Sequence, residues 1–170
     1  RRRLDAVAKR HADCRLDVRV VDDAVFRELK LNIPHVSRHT YYRYAIAELF
    51  PQLDKALYLD ADLVVRGSLA ELWNTDLGGF LCAGVRDRGI ELLHYKPEIG
   101  FELDELYVNA GVLVLNLAEM RREGLFRKLC AATQELEGRI RFQDQDNINI
   151  VCRGRILELP DRFNFTSEYV

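Results

Sequence analysis

The residues with the clearest chemical potential are two aspartates that follow an apolar segment. Leu57-Tyr58-Leu59 runs directly into Asp60-Ala61-Asp62. On a strand, side chains two positions apart point to the same side, so both carboxylates can face one point in space. Carboxylate oxygens at the end of a buried strand suit a hard divalent cation such as Mg²⁺ or Mn²⁺. Such a cation would complete its shell with substrate phosphate oxygens and act as a Lewis acid on the leaving phosphate.

Two other interpretations of the triplet stay open on the residues alone. The aspartates can simply end a strand and cap the turn into Gly67-Ser68. An apolar-Asp-x-Asp-x-Val string also opens haloacid-dehalogenase-like phosphatases, in which the first aspartate, here Asp60, is a nucleophile. That class needs an acidic Gly-Asp or Asp-Asp motif downstream. The chain contains no Gly-Asp pair, and Asp22-Asp23 lies upstream of the triplet.

Other elements of the chain must position these aspartates. Along the sequence, segments with helical periodicity alternate with short apolar runs. This pattern is typical of an α/β domain with a mostly parallel central sheet flanked by helices. Continuous apolar runs at 80–85 and 111–115 predict strands that are buried on both faces. Asn116 and Glu119 stand in capping-box register at the start of an amphipathic helix. The full set of expected strands is 16–21, 55–59, 80–85, 111–115 and 155–159, with helices at 4–12, 40–49, 116–136 and from 144.

Composition predicts one ordinary globular domain over residues 1–170. The net charge of -2 argues against a nucleic-acid partner. No apolar run approaches the roughly 18 residues of a membrane span, and no signal peptide opens the chain. The four cysteines are widely spaced, which favours free thiols in a reducing cytosol. Arg1-Arg2-Arg3 is interpreted as an exposed helix turn, with peripheral membrane contact as the alternative.

Four further segments accompany the triplet in a fixed order, and they carry a resemblance to a known family. They are Thr40-Tyr41-Tyr42-Arg43-Tyr44, Leu69-Ala70-Glu71-Leu72-Trp73, the stretch 109–117, and Asp144-Gln145-Asp146-x-x-Asn149, with Arg162-Phe163-Asn164-Phe165 behind them. Between residues 20 and 165 the chain resembles the family 8 retaining glycosyltransferases, in particular the bacterial lipopolysaccharide α-galactosyltransferases and glucosyltransferases. The resemblance implies a GT-A type fold, Mn²⁺ or Mg²⁺, and hexose transfer from a UDP-sugar to a saccharide or glycolipid acceptor, with retention.

The same resemblance implies binding roles for individual residues. Asp60 and Asp62 would hold the metal, and the Ala61 backbone would lie beside the nucleotide. Arg43 matches an arginine that holds the donor-sugar region, where its forked N–H groups suit a phosphate or paired sugar oxygens. On the residues alone, Arg43 is also compatible with an ordinary surface arginine on a helix.

Donor and acceptor contacts follow from the same match. Asn109 and Ala110 correspond to a donor-contacting pair before a buried strand, although Asn-Ala-Gly is also a fair turn sequence. Asp87 corresponds to an aspartate that binds donor or acceptor hydroxyls, but Arg86 precedes it where similar sequences carry an apolar residue. His35 corresponds to an acceptor-side histidine and is otherwise compatible with a structural role.

Asp144 and Gln145 correspond to the residues that line the reacting face of the sugar. Asp144 would bind sugar hydroxyls, although an ordinary helix N-cap is the competing interpretation. Retention needs either a covalent intermediate or front-face attack. The Gln145 amide is a poor nucleophile, which favours front-face attack with its carbonyl stabilising an oxocarbenium-like centre.

Two features of the family's sequence pattern are missing from this chain. The resemblance leads us to expect a first strand with an acidic uridine-binding turn, and a C-terminal histidine as third metal ligand. The histidines here are His11, His35, His39 and His94, and none lies in that context. We therefore expect a fragment that lacks the first strand and the C-terminal segment. A non-catalytic remnant that binds a nucleotide sugar stays open as an alternative.

Overall fold

A four-stranded mixed sheet forms the centre of the computed structural model, which describes residues 2–11, 13–27, 29 and 38–166. Its strands are β1 (Lys55–Leu59), β2 (Cys82–Arg86), β3 (Val108–Asn116) and β4 (Ile156–Leu159). They lie in the order β1-β3-β2-β4. Strand β3 pairs antiparallel with β1 and with β2, whereas β2 pairs parallel with β4.

The expected α/β class is confirmed, and the sheet is mixed rather than mostly parallel. The apolar runs suggested parallel strands because such strands are usually buried on both faces. Here β3 has the same apolar character for another reason, since it lies inside the sheet between β1 and β2. Leu113 and Leu115 enter one core cluster, while Val112 and Val114 enter another. Complete burial of such a side chain stabilises a fold by roughly 1.5–3 kcal/mol.

Helices cover the sheet, and several differ from the expected elements. The α-helices are α1 (Arg2–Ala8), α2 (Ile46–Leu49), α3 (Ala70–Trp73), α4 (Arg88–Leu92), α5 (Leu117–Arg122), α6 (Leu125–Glu135) and α7 (Gln143–Val151). The 3₁₀ helices are Asp23–Phe26, Arg38–Ala45, Lys96–Ile99 and Asp161–Phe163. No helix of the described residues is long and apolar enough to cross a bilayer.

The helix predicted at 116–136 is two helices. Its start is confirmed, because the Asn116 side chain accepts a hydrogen bond from the Glu119 N–H at 3.1 Å. Gly124 then adopts a φ of 62°, in the left-handed region, and separates α5 from α6. Glycine is the residue that takes this conformation without steric cost, so the break is encoded locally.

Three other expected elements also changed. The segment 40–49 begins as a 3₁₀ helix and becomes α-helical only at Ile46. Residues 16–21, expected as a strand, pair with no other strand of the described chain. Of the expected helix at 4–12, α1 ends at Ala8, and position 12 lies outside the described residues.

Candidate active site

Most of the predicted site residues line one open cavity of about 220 Å³. It lies where β1 ends and β3 begins, and the Asp60 N–H donates to the Gly111 carbonyl there at 2.9 Å. Its lining is Thr40, Arg43, Asp60, Asn109, Ala110, Gly111, Phe142, Gln143, Asp144 and Gln145. The long-range pairing of β1 with β3 and the packing of α7 bring together residues about 100 positions apart in the chain. His35 lies outside the described residues.

Arg43 contacts residues from three different segments of the cavity wall. Its Nη2 lies 3.1 Å from Asp60 Oδ1, and its Nε lies 2.8 Å from Asp144 Oδ2. Its Nη1 donates to the Ala110 carbonyl at 2.8 Å, and the guanidinium lies 4.4 Å from the Tyr58 ring centroid. With 11% of its side chain exposed, Arg43 is not an ordinary surface arginine. It carries the positive charge that two carboxylates of the cavity share.

Asp144 lies in the first turn of α7 with its carboxylate turned into the cavity. The N-cap of α7 is Phe142, so the N-cap interpretation of Asp144 is wrong. Gln143 precedes it with a φ of 49°, a left-handed conformation that is rare outside glycine. Burial raises the pKa of Asp144, whereas the Arg43 charge and a hydrogen bond from the Thr40 hydroxyl counteract that rise. The ionised carboxylate therefore depends on Arg43.

The two aspartates of the triplet occupy different environments. Asp60 Oδ1 accepts hydrogen bonds from the Tyr58 hydroxyl at 2.6 Å and from Arg43. Strand β1 ends at Leu59, and Ala61 and Asp62 form an exposed turn outside the cavity. The prediction that both carboxylates share a strand face was wrong, because the same-face rule applies only while the backbone stays extended.

A second network fixes Gln145 and Asn109. Gln145 Oε1 accepts from the Ala110 N–H at 3.0 Å, and its Nε2 donates to Asp87 Oδ2 at 2.9 Å. Asn109 Nδ2 donates to the same Asp87 oxygen at 3.2 Å. Asp87 Oδ1 accepts from the Ile90 N–H and caps α4. Asp87 is not among the cavity-lining residues, so in this arrangement it positions Gln145 and Asn109 from behind.

Three supporting residues received no role from the sequence, although their motifs were noticed. Asp146 is fully buried and accepts hydrogen bonds from two tyrosine hydroxyls and from the backbone N–H groups of residues 141 and 142. Asn149 pairs with both backbone groups of Val108 at 2.7 and 2.8 Å. Asn164 donates to Asn109 Oδ1 at 2.8 Å. The Asp-Gln-Asp-x-x-Asn spacing, which places 146 and 149 three apart on one helix, was the signal for Asp146 and Asn149. Asn164 belongs to the 162–165 segment.

The carboxylate oxygens near the cavity are of the type that a hard divalent cation binds, but they are too few to complete its coordination shell. Asp60 Oδ1 is held by Tyr58 and Arg43, and Oδ2 lies on the side of Gly111. Within the described ranges no group of three or more acidic, histidine or cysteine side chains is placed to hold a metal. Mg²⁺ commonly binds to one or two carboxylates together with substrate phosphates. Asp60 is therefore a chemically suitable ligand within the cavity, and a cation there would need further oxygens, including those of a substrate.

Gly111 lies where any side chain would meet the Asp60 carboxylate. A Cβ added there would lie 3.1 Å from Asp60 Oδ2 and 3.0 Å from Asn109 Oδ1. We expect Gly111→Ala to displace one of these groups. In a cavity that takes UDP with Mn²⁺, as the resemblance implies, the substitution should weaken that binding roughly tenfold, which is about 1.4 kcal/mol. Calorimetric titration with UDP and Mn²⁺ measures this.

The matched control for that substitution is Gly79→Ala, because an added Cβ at Gly79 meets nothing within 4 Å. Equal UDP affinity in both variants would show that the space beside Asp60 is not used.

Comparison with known proteins identifies the family of this chain. The sequence matches the profile of Glycosyl transferase family 8 over residues 1–170. A putative glycosyltransferase of Haemophilus influenzae is 33% identical over 155 residues, which are 90% of this chain and 47% of that protein. The lipopolysaccharide 1,2-glucosyltransferase of Escherichia coli is 33% identical over 132 residues, 75% of this chain and 38% of that protein.

A solved structure is similar as well. The galactosyltransferase LgtC, crystallised with donor and acceptor sugar analogs, superimposes with a TM-score of 0.80 at 38% identity. The match covers 85% of this chain and 52% of LgtC. The chain thus spans about half the length of the Haemophilus influenzae protein and of LgtC, and the cavity residues lie within the matched family profile. None of these matches supports the phosphatase alternative. The chain belongs to glycosyltransferase family 8.

Proposed function

We propose that this chain forms the donor-binding and catalytic core of a retaining hexosyltransferase. It transfers galactose or glucose from a UDP-sugar to a saccharide or glycolipid acceptor in cell-surface glycan synthesis. The observation that carries the proposal is the pairing of Arg43 with Asp60 and Asp144 in a cavity that Asn109 and Gln145 also line. We propose these two sugars because one similar protein is a galactosyltransferase and another is a glucosyltransferase.

Arg43 can bind an anionic donor without giving up its present partners. A guanidinium has five N–H groups in a planar fork. Nη1 uses one on the Ala110 carbonyl, and Nη2 uses one on Asp60, so each terminal nitrogen keeps a second N–H. Those donors suit a diphosphate oxygen or paired sugar hydroxyls. Asp144, held by Arg43 and Thr40, offers acceptor oxygens to sugar hydroxyls in the same cavity.

Gln145 is the group that we place at the reacting carbon. Its carbonyl accepts one hydrogen bond from the Ala110 N–H, and a carbonyl oxygen has a second lone pair. Asp87 holds the amide nitrogen and so fixes which end of the amide faces the cavity. A preorganised dipole of this kind stabilises positive charge that develops on the sugar. The acceptor then attacks on the face that the leaving diphosphate vacates, and its proton passes to that phosphate.

Mn²⁺ or Mg²⁺ is part of the proposal, with Asp60 and Asp62 as its protein ligands. When bound, the cation supplies Lewis-acid stabilisation of the leaving diphosphate. Asp60 is fixed by Tyr58 and Arg43, whereas Asp62 lies on the exposed turn that directly follows it.

The test combines turnover with metal-dependent binding. Formation of a glycosylated acceptor is measured with UDP-galactose and UDP-glucose, with and without Mn²⁺. Asp62→Ala is expected to weaken UDP binding in Mn²⁺ and to suppress transfer, with an unchanged melting temperature, because Asp62 is exposed. Asp104→Ala, another exposed aspartate outside the cavity, is the control.

The possible outcomes separate the alternatives. Unchanged calorimetric binding of Mn²⁺ and UDP in Asp62→Ala would rule out the metal assignment. Tight binding of UDP-sugars by the wild type with neither transfer nor donor hydrolysis would support the non-catalytic binder instead.

A further inference from the structure

A second and larger cavity, of about 440 Å³, lies at the opposite end of the β1–β3 pair. The site described above lies beyond Leu59, where β1 ends, whereas this cavity lies at Lys55, where β1 begins opposite Asn116. Its lining is Asp54, Lys55, Trp73, Asn74, Thr75, Asp76, Leu77, Gly78 and Asn116. Five residues of strand separate the two sites by about 17 Å, so a single sugar ring cannot occupy both.

Trp73 gives this cavity a flat aromatic wall. It ends α3 and leaves 47% of its surface exposed, which is unusual for so large an apolar side chain. Its neighbour Leu72 is buried, as is Leu77, so both ends of the segment are anchored in the core. Lys55 donates to the Thr75 carbonyl, and its ammonium lies 5.5 Å from the Trp73 ring centroid. The Lys55 side chain therefore contacts both the indole and the backbone of the segment that follows it.

Polar groups surround the indole, and several of them make no hydrogen bond within the described part of the chain. These are the Trp73 indole N–H, the Asn74 amide and the Thr75 hydroxyl. Asp76 uses one carboxylate oxygen to accept from the Gly78 N–H at 2.9 Å, which leaves the other available. The wall thus combines an apolar ring with donors and acceptors at its edge.

The charge of the wall narrows the class of ligand. Asp54 and Asp76 contribute two negative charges and Lys55 one positive charge, and Asp54 also pairs with Arg121 at 3.4 Å. The wall therefore has no excess of positive charge that would attract a phosphorylated ligand such as a nucleotide. Aromatic faces with hydrogen-bonding groups at their edge suit a ligand that has an apolar face and polar hydroxyls. Neutral saccharides have this character.

We propose that this cavity is a second saccharide-binding site, separate from the donor cavity, which holds a neutral oligosaccharide with one sugar ring against Trp73. The Asn74 amide, the Thr75 hydroxyl and Asp76 bind the hydroxyls of that ring. The site goes beyond the proposed transfer reaction and does not depend on it, because none of its residues lines the donor cavity.

Trp73 is the only tryptophan of the chain, so its fluorescence reports on this cavity alone. We expect titration of the whole chain with lactose, maltotriose or cellotriose to change its emission in a saturable way. Saturating UDP with Mn²⁺ should leave that titration unchanged. No saturable change with any of the three sugars, up to tens of millimolar, would overturn the proposal. A change that UDP and Mn²⁺ abolish would overturn it too, because the sugar would then occupy the donor cavity.

Variants assign the binding to named residues. By calorimetry, Trp73→Ala should weaken sugar binding at least about tenfold, and Asn74→Ala about threefold. Asp76→Asn keeps an acceptor for Gly78 and tests the charge. Leu103→Ala, at an exposed apolar residue outside the cavity, is the matched control and should bind normally. All four variants should retain wild-type UDP binding in Mn²⁺. Undiminished sugar affinity in both Trp73→Ala and Asn74→Ala would refute the assignment.

Discussion

Replacing Gln145 with alanine is expected to slow transfer by roughly 10²–10³-fold, because one preorganised dipole at the reacting centre is lost. Donor affinity should change little, since Arg43, Asp60 and Asn109 stay in place. The variant also leaves the Ala110 N–H without its acceptor, which should cost about 1–3 kcal/mol of unfolding free energy. Rate measurements at saturating UDP-sugar and Mn²⁺, combined with UDP calorimetry, separate the two effects. Gln134→Ala, at an exposed glutamine on α6, is the control.

The hydrogen bond from Gln145 to Asp87 allows a stricter test of the role of Gln145. Gln145→Glu alone places two carboxylates 2.9 Å apart, and such a pair does not ionise fully. In the double variant Gln145→Glu/Asp87→Asn, an amide again donates to a carboxyl oxygen, so the new carboxylate can stay ionised and attack the sugar. We expect a covalent adduct to accumulate in the double variant more than in the single one. If intact-mass spectrometry found hexose on wild-type Gln145 at catalytically competent rates, front-face attack would be wrong.

Arg43→Ala is expected to have the other large effect, on stability and on turnover together. It removes the charge that Asp60 and Asp144 share, and breaking a largely buried ion pair from one side costs about 3–5 kcal/mol. Turnover should fall by about 10³-fold, because the donor also loses its guanidinium. Chemical denaturation and steady-state rates measure these effects. Arg127→Ala removes an equal charge at an exposed position on α6 and serves as the control.

The Arg43 substitution also has a pH signature. Arg43 lowers the pKa of Asp144 against the rise caused by burial, so its removal should raise that pKa further. A carboxylate that must be ionised then becomes protonated at a higher pH, and the acidic limb of the rate profile shifts toward neutral pH. Arg43→Lys keeps the positive charge and should shift the acidic limb less, although lysine lacks the planar set of guanidinium N–H groups. An acidic limb that stays in place in Arg43→Ala would show that Asp144 ionisation does not control the rate.

Local sequence predicted the local features of the fold well. The bounds of β1 agree at both ends because an apolar run stops at Asp60, and the α5 start agrees because Asn116 caps it. Strand direction was not predictable in the same way, since it depends on which segments meet. The apolar run around 111–115 is buried on both faces whether its neighbours are parallel or antiparallel to it, so hydrophobicity alone could not decide.

The same limit applies to the candidate site. Residue types identified Asp60, the family resemblance added Arg43 and Gln145 to the same site, and the structure places all three around one cavity. The turn that carries Asp62 out of the cavity was missed, because no residue pattern shows where β1 leaves its partner. The contact of Asp87 with Gln145 joins residues 58 positions apart, and a spacing of that length carries no periodic signal.

The central position of β3 has a consequence for how the polypeptide is made. Strands β1 and β2 are both synthesised before β3, and each finds its antiparallel neighbour only in β3. A nascent chain that ends before Val108 therefore holds two apolar strands with no described strand to pair with. Unpaired strand edges of this kind are prone to associate with other chains. Ribosome-bound intermediates that end before Val108 are thus prone to associate through these strands, and chaperones that cover exposed strands would protect them.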